Sequence, residues 1–186
     1  MIRAATRLLR RGGLAAACVN RIVEESGAPK GSIYHFFPGG KAQIAREALS
    51  GYRDLAIGRM RARLESRKGD PAAVVRGYFE LGAEAALESD YSMSCPAGAV
   101  TLDLDPESDA LRDTCHGVFD GIVAALAGLL APLPMAKRRA LAGAMVSAMQ
   151  GAYIRGRAAR DPAPFREAGA LLAAAAQSSL PKGKPR

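Results

Sequence analysis

An all-helical chain is the fold class this sequence predicts, and three observations carry the prediction. Apolar residues recur at intervals of three and four, and no stretch sustains the alternation of a half-buried strand. Alanine, leucine and glycine abound, while tryptophan is absent and aromatics make up only 5%. Such a composition packs helices through small side chains and gives a β-sandwich little to bury. With 186 residues, 49% hydrophobic and 24% charged, the chain can bury a core for one or two small domains.

The elements follow in order. From Met1 to Arg11, Ile2, Ala5, Leu8 and Leu9 share one helix face and Arg3, Arg7 and Arg10 the other. Cys18 sits at the N-cap of the next helix, where a thiol caps poorly and weakens the terminus by about 1 kcal/mol. Val19, Ile22 and Val23 then recur at helical spacing. Gly27 stops that helix, because glycine takes the left-handed conformation of a helix end without a Cβ penalty. Pro29 restarts the chain, since its fixed φ suits a first turn and it has no N–H to lose there. A short third helix puts Ile33 and Phe37 on one side and leaves Ser32, Tyr34 and His35 facing elsewhere. Two short helices joined by a tight glycine turn make a helix-turn-helix, and a polar, aromatic-bearing second helix is what a DNA major groove accepts.

Gly39-Gly40-Lys41 opens the fourth helix, whose exposed N–H groups and lysine suit a phosphate contact. It is not a P-loop, because the earlier glycine and the following Ser/Thr are missing. A long helix from about Lys41 to Arg67 carries Ile44, Ala48, Leu49, Tyr52, Leu55, Ala56, Met60 and Leu64, and reads as the lever between two domains. Lys68-Gly69-Asp70-Pro71 ends it and starts a fifth, with Val75, Tyr78, Phe79, Gly82 and Ala86 inward. Cys95-Pro96 breaks the chain, and Ala97 to Leu104 reads as a short helix. Asp103, Asp105, Glu107 and Asp109 lie close together, but the glycine and spacing of a calcium loop are missing, so no metal site is assigned. Asp105-Pro106-Glu107 instead starts a seventh helix, about 107 to 131, with acids at the positive end of its dipole. Pro132 and Pro134 terminate it. The eighth helix, about Met135 to Ala159, has a small-residue row (Ala144, Ala148, Ala152, Gly156) and a softer row (Met145, Met149, Tyr153). After Asp161-Pro162, Phe165, Gly169, Leu172 and Ala176 mark a ninth amphipathic helix, and Pro181 to Arg186 a frayed basic tail.

The net charge of +8 is unevenly placed. Residues 1–68 hold 14 Arg/Lys against 5 Asp/Glu, a balance of +9; residues 69–186 hold 12 against 13, a balance of −1. The excess therefore coincides with the helix-turn-helix, where a basic face attracts phosphate and releases counterions. Three cysteines, odd in number and irregularly spaced, argue against a secreted disulfide framework and for a reducing cytoplasm. The apolar run Gly12 to Ala17 before Cys18 is shorter than the roughly 7–15 residues of a signal core. Gly121 to Ala136, the most apolar stretch, falls short of the about 18 residues of a membrane span and carries two prolines.

The run Gly27-Ala28-Pro29-Lys30-Gly31-Ser32-Ile33-Tyr34-His35-Phe36-Phe37, with Lys41 beyond it, resembles the signature of TetR-family repressors. Cys95-Pro96-Ala97-Gly98, Gln150-Gly151-Ala152-Tyr153 and Arg160-Asp161-Pro162-Ala163-Pro164 are similar to the LmrA/YxaF-type branch. The resemblance implies an all-α fold of about nine helices. A three-helix helix-turn-helix domain would occupy residues 1–45, a ligand-binding and dimerisation domain residues 46–180, and a disordered tail residues 181–186. It implies base or phosphate contacts by Lys30, Gly31, Ser32, Tyr34, His35 and Lys41, with Val19, Asn20 and Arg21 at the start of the second helix. The arginines of the first helix would lie near phosphates, and the start is short for the family, so some N-terminal arm contacts would be lacking.

An effector pocket among the fourth to eighth helices would be lined by Tyr52, Phe79, Met93, Phe119, Met145, Met149, Gln150 and Tyr153, and would suit a small hydrophobic molecule. The last two helices would pair with their twins in a dimeric four-helix bundle through Ala144, Ala148, Ala152, Gly156, Phe165, Gly169, Leu172 and Ala176. The expected partners are thus a palindromic operator duplex, a second copy of the chain and the effector; no cofactor and no membrane are expected. Alternatives stay open: packing rather than contact roles for Tyr34 and His35, a redox-responsive regulator using Cys95 and Cys115, or a nonspecific DNA-binding architectural protein. No motif pairs catalytic groups, which speaks against an enzyme.

Overall fold

The computed structural model describes residues 1–180, so the basic tail Pro181–Arg186 lies outside the described residues. Those described form nine α-helices and no strand: α1 (Ile2–Ala16), α2 (Val19–Ser26), α3 (Lys30–Phe36), α4 (Gly40–Leu64), α5 (Pro71–Glu88), α6 (Pro96–Leu102), α7 (Asp109–Leu129), α8 (Met135–Ala159) and α9 (Ala163–Ser178). A single 3-10 turn, Glu65–Arg67, follows α4.

The compact units do not follow chain order. One comprises Met1–Ala56 with Ser92–Asp120; the other comprises Ile57–Tyr91 with the described chain from Gly121 onward. Helices α4 and α7 are each divided between the two units, at Ala56 and at Asp120.

In the first unit α1 buries Ala4, Ala5, Leu8 and Leu9, α2 buries Ile22, and α3 buries Ile33. The turn between α2 and α3 is closed by Gly27 at φ 67°, whose N–H donates to the Val23 carbonyl at 2.9 Å. That left-handed cap turns the backbone sharply at the end of α2 and sets where α3 begins. Helix α1 itself breaks near its end. Gly12 and Gly13 leave the helical region, and Gly13 adopts φ 61°, ψ −152°, a conformation essentially closed to residues with a side chain.

In the second unit Asp70 caps α5 by accepting from the Ala73 N–H at 3.0 Å, with Pro71 in the first turn. Helix α9 packs chiefly against α5 and α8. Close approach makes this possible: a Cβ on Gly156 would stand 2.8 Å from the Phe165 ring, and one on Gly169 would stand 3.0 Å from Phe79 Cβ. Phe165 fills the space so opened and meets Tyr153 edge-on, with ring centroids 5.2 Å apart. Helix α8 ends on Arg160, a non-glycine residue at φ 52°, whose guanidinium grips both carboxylate oxygens of Asp90 at 2.6 and 2.7 Å. No helix among the described residues is long and apolar enough to cross a membrane.

Candidate nucleic-acid interface

Helix α3 turns Ile33 into the core and its remaining side chains outward. Tyr34 is 62% exposed and Phe36 60%, and Lys30, Gly31 and His35 are exposed as well, with Ser32 half-buried. Tyr34 and His35 therefore do not serve as core packing; His35 meets only the edge of Phe36 among the ring contacts, centroids 5.0 Å apart. On α2, Asn20 and Arg21 are exposed and Val19 half-buried. Cys18 makes no side-chain bond to the α2 terminus, so the first-turn N–H groups are left without a side-chain acceptor. At α4, Lys41 is exposed, while the Gly39 N–H is taken by Gln43 Oε1 at 2.9 Å.

The cations divide into two groups. Arg7 Nε lies 2.6 Å from Glu25 and Arg11 lies 3.6 Å from the same carboxylate, which joins α1 to α2. Arg10 Nε donates to the Ser94 carbonyl at 3.2 Å. Arg7 and Arg11 thus tie α1 to α2, and Arg10 ties α1 to the segment ahead of α6. Arg3, Arg21, Lys30, Lys41 and Arg46 have no ion pair among the described residues.

A second set of bonds fixes the α1–α2 junction from the far side of the sequence. Ser94, ahead of α6, donates its N–H to the Arg10 carbonyl at 2.9 Å and its hydroxyl to the same oxygen at 3.2 Å. Asp103, at the end of α6, accepts from the N–H of Leu14 at 2.7 Å and of Ala15 at 3.4 Å. A Cβ on Gly13 would overlap Asp103 Oδ2 and stand 3.0 Å from the Ala99 carbonyl oxygen. Helix α6 is thus clasped to the junction at both of its ends. Sequence reading met Asp103 only as one of four neighbouring acids, and its partners lie about ninety positions away, beyond any local signal.

The other expected sites are distributed as follows. Tyr52, Met93 and Phe119 are half-buried in the first unit; Phe79, Met145 and Met149 are buried and Gln150 and Tyr153 half-buried in the second. Of the residues expected at a subunit seam, Ala152, Gly156, Phe165, Gly169 and Ala176 are buried by the chain's own helices, Ala148 and Leu172 are half-buried, and Ala144 is exposed. The buried C-terminal end of the small-residue row, Ala152 and Gly156, lies where α8 seats α9 within the chain. The exposed stripe lies next to it: Ala140, Ala144, Ser147, Gly151, Ile154 and Ala158 on α8, with Leu171, Ala174, Ala175 and Ser178 on α9.

Cys95 and Cys115 are buried and Cys18 half-buried, and none of the three is joined in a disulfide. Burial pushes the Cys115 thiol up; a hydrogen bond with Thr101 works against this and neighbouring Cys95 adds to it. No cluster of three or more His, Cys, Asp or Glu among the described residues is arranged to hold a metal.

Two family profiles match the chain: residues 1–48 fit the "Bacterial regulatory proteins, tetR family" and residues 71–171 the "Transcriptional regulator LmrA/YxaF-like, C-terminal domain". The chain belongs to the TetR family of transcriptional regulators. HTH-type transcriptional regulator LmrA of Bacillus subtilis is 33% identical over 120 residues, 64% of this chain and 63% of LmrA, so the chain spans just under two thirds of that relative. The uncharacterized HTH-type transcriptional regulator Rv0196 of Mycobacterium tuberculosis is 28% identical over 172 residues, 89% of this chain and 86% of the relative. Regulatory protein TetR from Rhodobacter sphaeroides superposes with a TM-score of 0.81 at 21% identity, covering 93% of this chain and 95% of that one. This TetR-family member therefore shares the fold end to end with a solved relative of low sequence identity.

Proposed function

We propose that this TetR-family protein is a homodimeric repressor that grips a palindromic operator through α3 and lets go when a small hydrophobic effector binds. The observation that carries the reading is the outer face of α3. Lys30, Ser32, Tyr34 and His35 stand clear of the core on a helix that a glycine turn and a buried Ile33 hold in place. The unpaired cations Arg21 and Lys41 flank it, and such groups contact phosphate and base edges. Residues 1–45 would act as the DNA-binding part and 46–180 as the part that binds effector and pairs subunits.

The dimer face is the exposed stripe of α8 and α9, where Ile154 is 64% and Leu171 73% exposed among alanines and glycine. Small residues let facing helices approach closely, and a two-fold interface uses each residue twice. Two recognition helices then enter successive major grooves, so half-sites lie about one helical turn apart. The effector acts by favouring one of two dimer shapes, and only through its differential affinity for them. Within the second unit its pocket would use Phe79, Met145, Met149, Gln150 and Tyr153. The clasp of α6 on the α1–α2 junction is where a movement of α6 would reach the helix-turn-helix.

Fluorescence polarisation on the upstream DNA of the protein's own gene, with unlabelled competitor and a library of small hydrophobic compounds, tests this. Expected are tight binding to one palindrome, loss on Lys30→Ala or Tyr34→Ala, and release by at least one compound. Equal affinity for all duplexes would point instead to an architectural DNA-binding protein.

A further inference from the structure

In the second unit α5 and α9 leave an open groove of 340 Å³ between them. Its accessible apolar surface comes from Ala83 and Leu87 of α5 with Ala170 of α9, over the buried rings of Phe79 and Phe165. Small residues at 83, 169 and 170 leave the trough unfilled. The charged rim is the informative part. Glu80 is neutralised by Arg67 at 2.9 Å, and Glu84 by Arg63, one of whose guanidinium nitrogens lies 3.1 Å from each carboxylate oxygen. Arg76 and Arg166 line the same groove, and their guanidinium groups have neither an ion pair nor a hydrogen bond among the described residues. Two free guanidiniums therefore stand over an apolar trough.

We propose that the α5–α9 groove binds an apolar carboxylate of the medium-chain fatty-acid kind, with its tail along Ala83, Leu87 and Ala170 and its head held by Arg76 and Arg166. A guanidinium presents a planar fork that matches a carboxylate, and the charge-assisted bonds it makes are the stronger ones. An uncharged apolar molecule leaves both forks unused, a cation is repelled, and a small inorganic anion leaves the apolar floor wet. The volume falls within the roughly 300–1,000 Å³ of small-molecule sites. The site goes beyond the effector reading above, since Phe79 is the residue it shares with that pocket.

Isothermal titration of the full chain with decanoate, decanol and decyltrimethylammonium tests the assignment. Decanoate is expected to bind about tenfold or more tightly than the other two, and to weaken between about 50 mM and about 500 mM salt while decanol does not. The double change Arg76→Gln with Arg166→Gln should weaken decanoate by about tenfold or more and leave decanol unchanged. Ala170→Phe, at an exposed position that the fold tolerates, should fill the trough and abolish binding of decanoate. Decanoate binding untouched by both variants overturns the proposal, as does decanol binding as tightly as decanoate. So does a change of oligomer mass in sedimentation on Arg76→Gln with Arg166→Gln, which would make the groove a contact with a second copy. None of these readouts uses DNA, so the operator reading can fail without affecting them.

Discussion

Replacing Gly13 by alanine strikes the α1–α2 junction in two ways whose energies separate. Gly13 sits at φ 61°, ψ −152°, where a side chain is strained by about 1–3 kcal/mol. Its new Cβ would also overlap Asp103 Oδ2, so the carboxylate must leave the N–H groups of Leu14 and Ala15. A lost helix-terminal acceptor costs about 1 kcal/mol. Gly13→Ala should therefore destabilise by about 3 kcal/mol, and Asp103→Ala alone by about 1 kcal/mol. The cap can be lost only once. The double variant should also cost about 3 kcal/mol, sub-additive by the roughly 1 kcal/mol of the cap. Urea unfolding gives all three values, and for a chain of this size thermal midpoints should fall by about 2–4 °C per kcal/mol. Gly117→Ala is the control: the site lies within α7 with nothing within 4 Å of a Cβ, so it should gain about 0.5–1 kcal/mol. Full additivity of Gly13→Ala and Asp103→Ala, or a cost below about 0.5 kcal/mol for Gly13→Ala, would refute the clasp.

The remaining expectations concern binding, assembly and the thiols. On the proposed reading Lys41 contacts phosphate in each subunit of a dimer, so Lys41→Ala should shrink the slope of log affinity against log salt by about 2, read by polarisation over a salt series. Phe36 is exposed on the same helix and can meet a thymine methyl, so Phe36→Ala should erase any loss of affinity caused by replacing operator thymines with deoxyuridine; a penalty that survives the substitution assigns the methyl to another residue. Ile154→Glu with Leu171→Glu places charges in the exposed α8–α9 stripe and should yield monomers in sedimentation; dimers of unchanged affinity would move the interface elsewhere. Because burial raises the Cys115 thiol above its ordinary 9.0, the unfolded chain ionises first. That contribution to stability is present below 9.0 and fades as pH climbs through the raised value. Stability should thus drop as pH rises above about 9, with a shallower slope in Cys115→Ala, and a thiol reagent at neutral pH should label Cys18 before Cys95 or Cys115. Rapid labelling of Cys95 would favour a thiol-based response.

Local chemistry made much of this molecule legible in the sequence. Gly27, Pro29 and the Ile33 spacing act within a few residues of themselves, and the α2–α3 turn follows from them. The same holds for Asp70-Pro71 at the head of α5 and for the prolines between α7 and α8. What stayed hidden depends on which neighbour claims a face. The periodicity of α8 marks Ala152 and Gly156 as a place for close approach, but an intramolecular and an intermolecular partner leave the same pattern. The ring of Phe165 decides for the former by occupying the space where a Cβ on Gly156 would stand.

The arginines of α1 show the same ambiguity for charge. Arg3, Arg7 and Arg10 look alike in a helical projection, yet Glu25 and Ser94 take Arg7 and Arg10, and Arg3 has no ion pair among the described residues. A count of net charge over residues 1–68 therefore overstates what a duplex would meet. Cations held in internal pairs are already partly neutralised, and each must release its partner before it can displace a counterion from DNA. The salt dependence of operator binding should follow the unpaired cations of the first unit, Arg3, Arg21, Lys30, Lys41 and Arg46, and not the formal excess. Removing Arg7 should then show itself first in the stability of the α1–α2 pair, where its carboxylate partner sits 2.6 Å away, and only second in the salt slope.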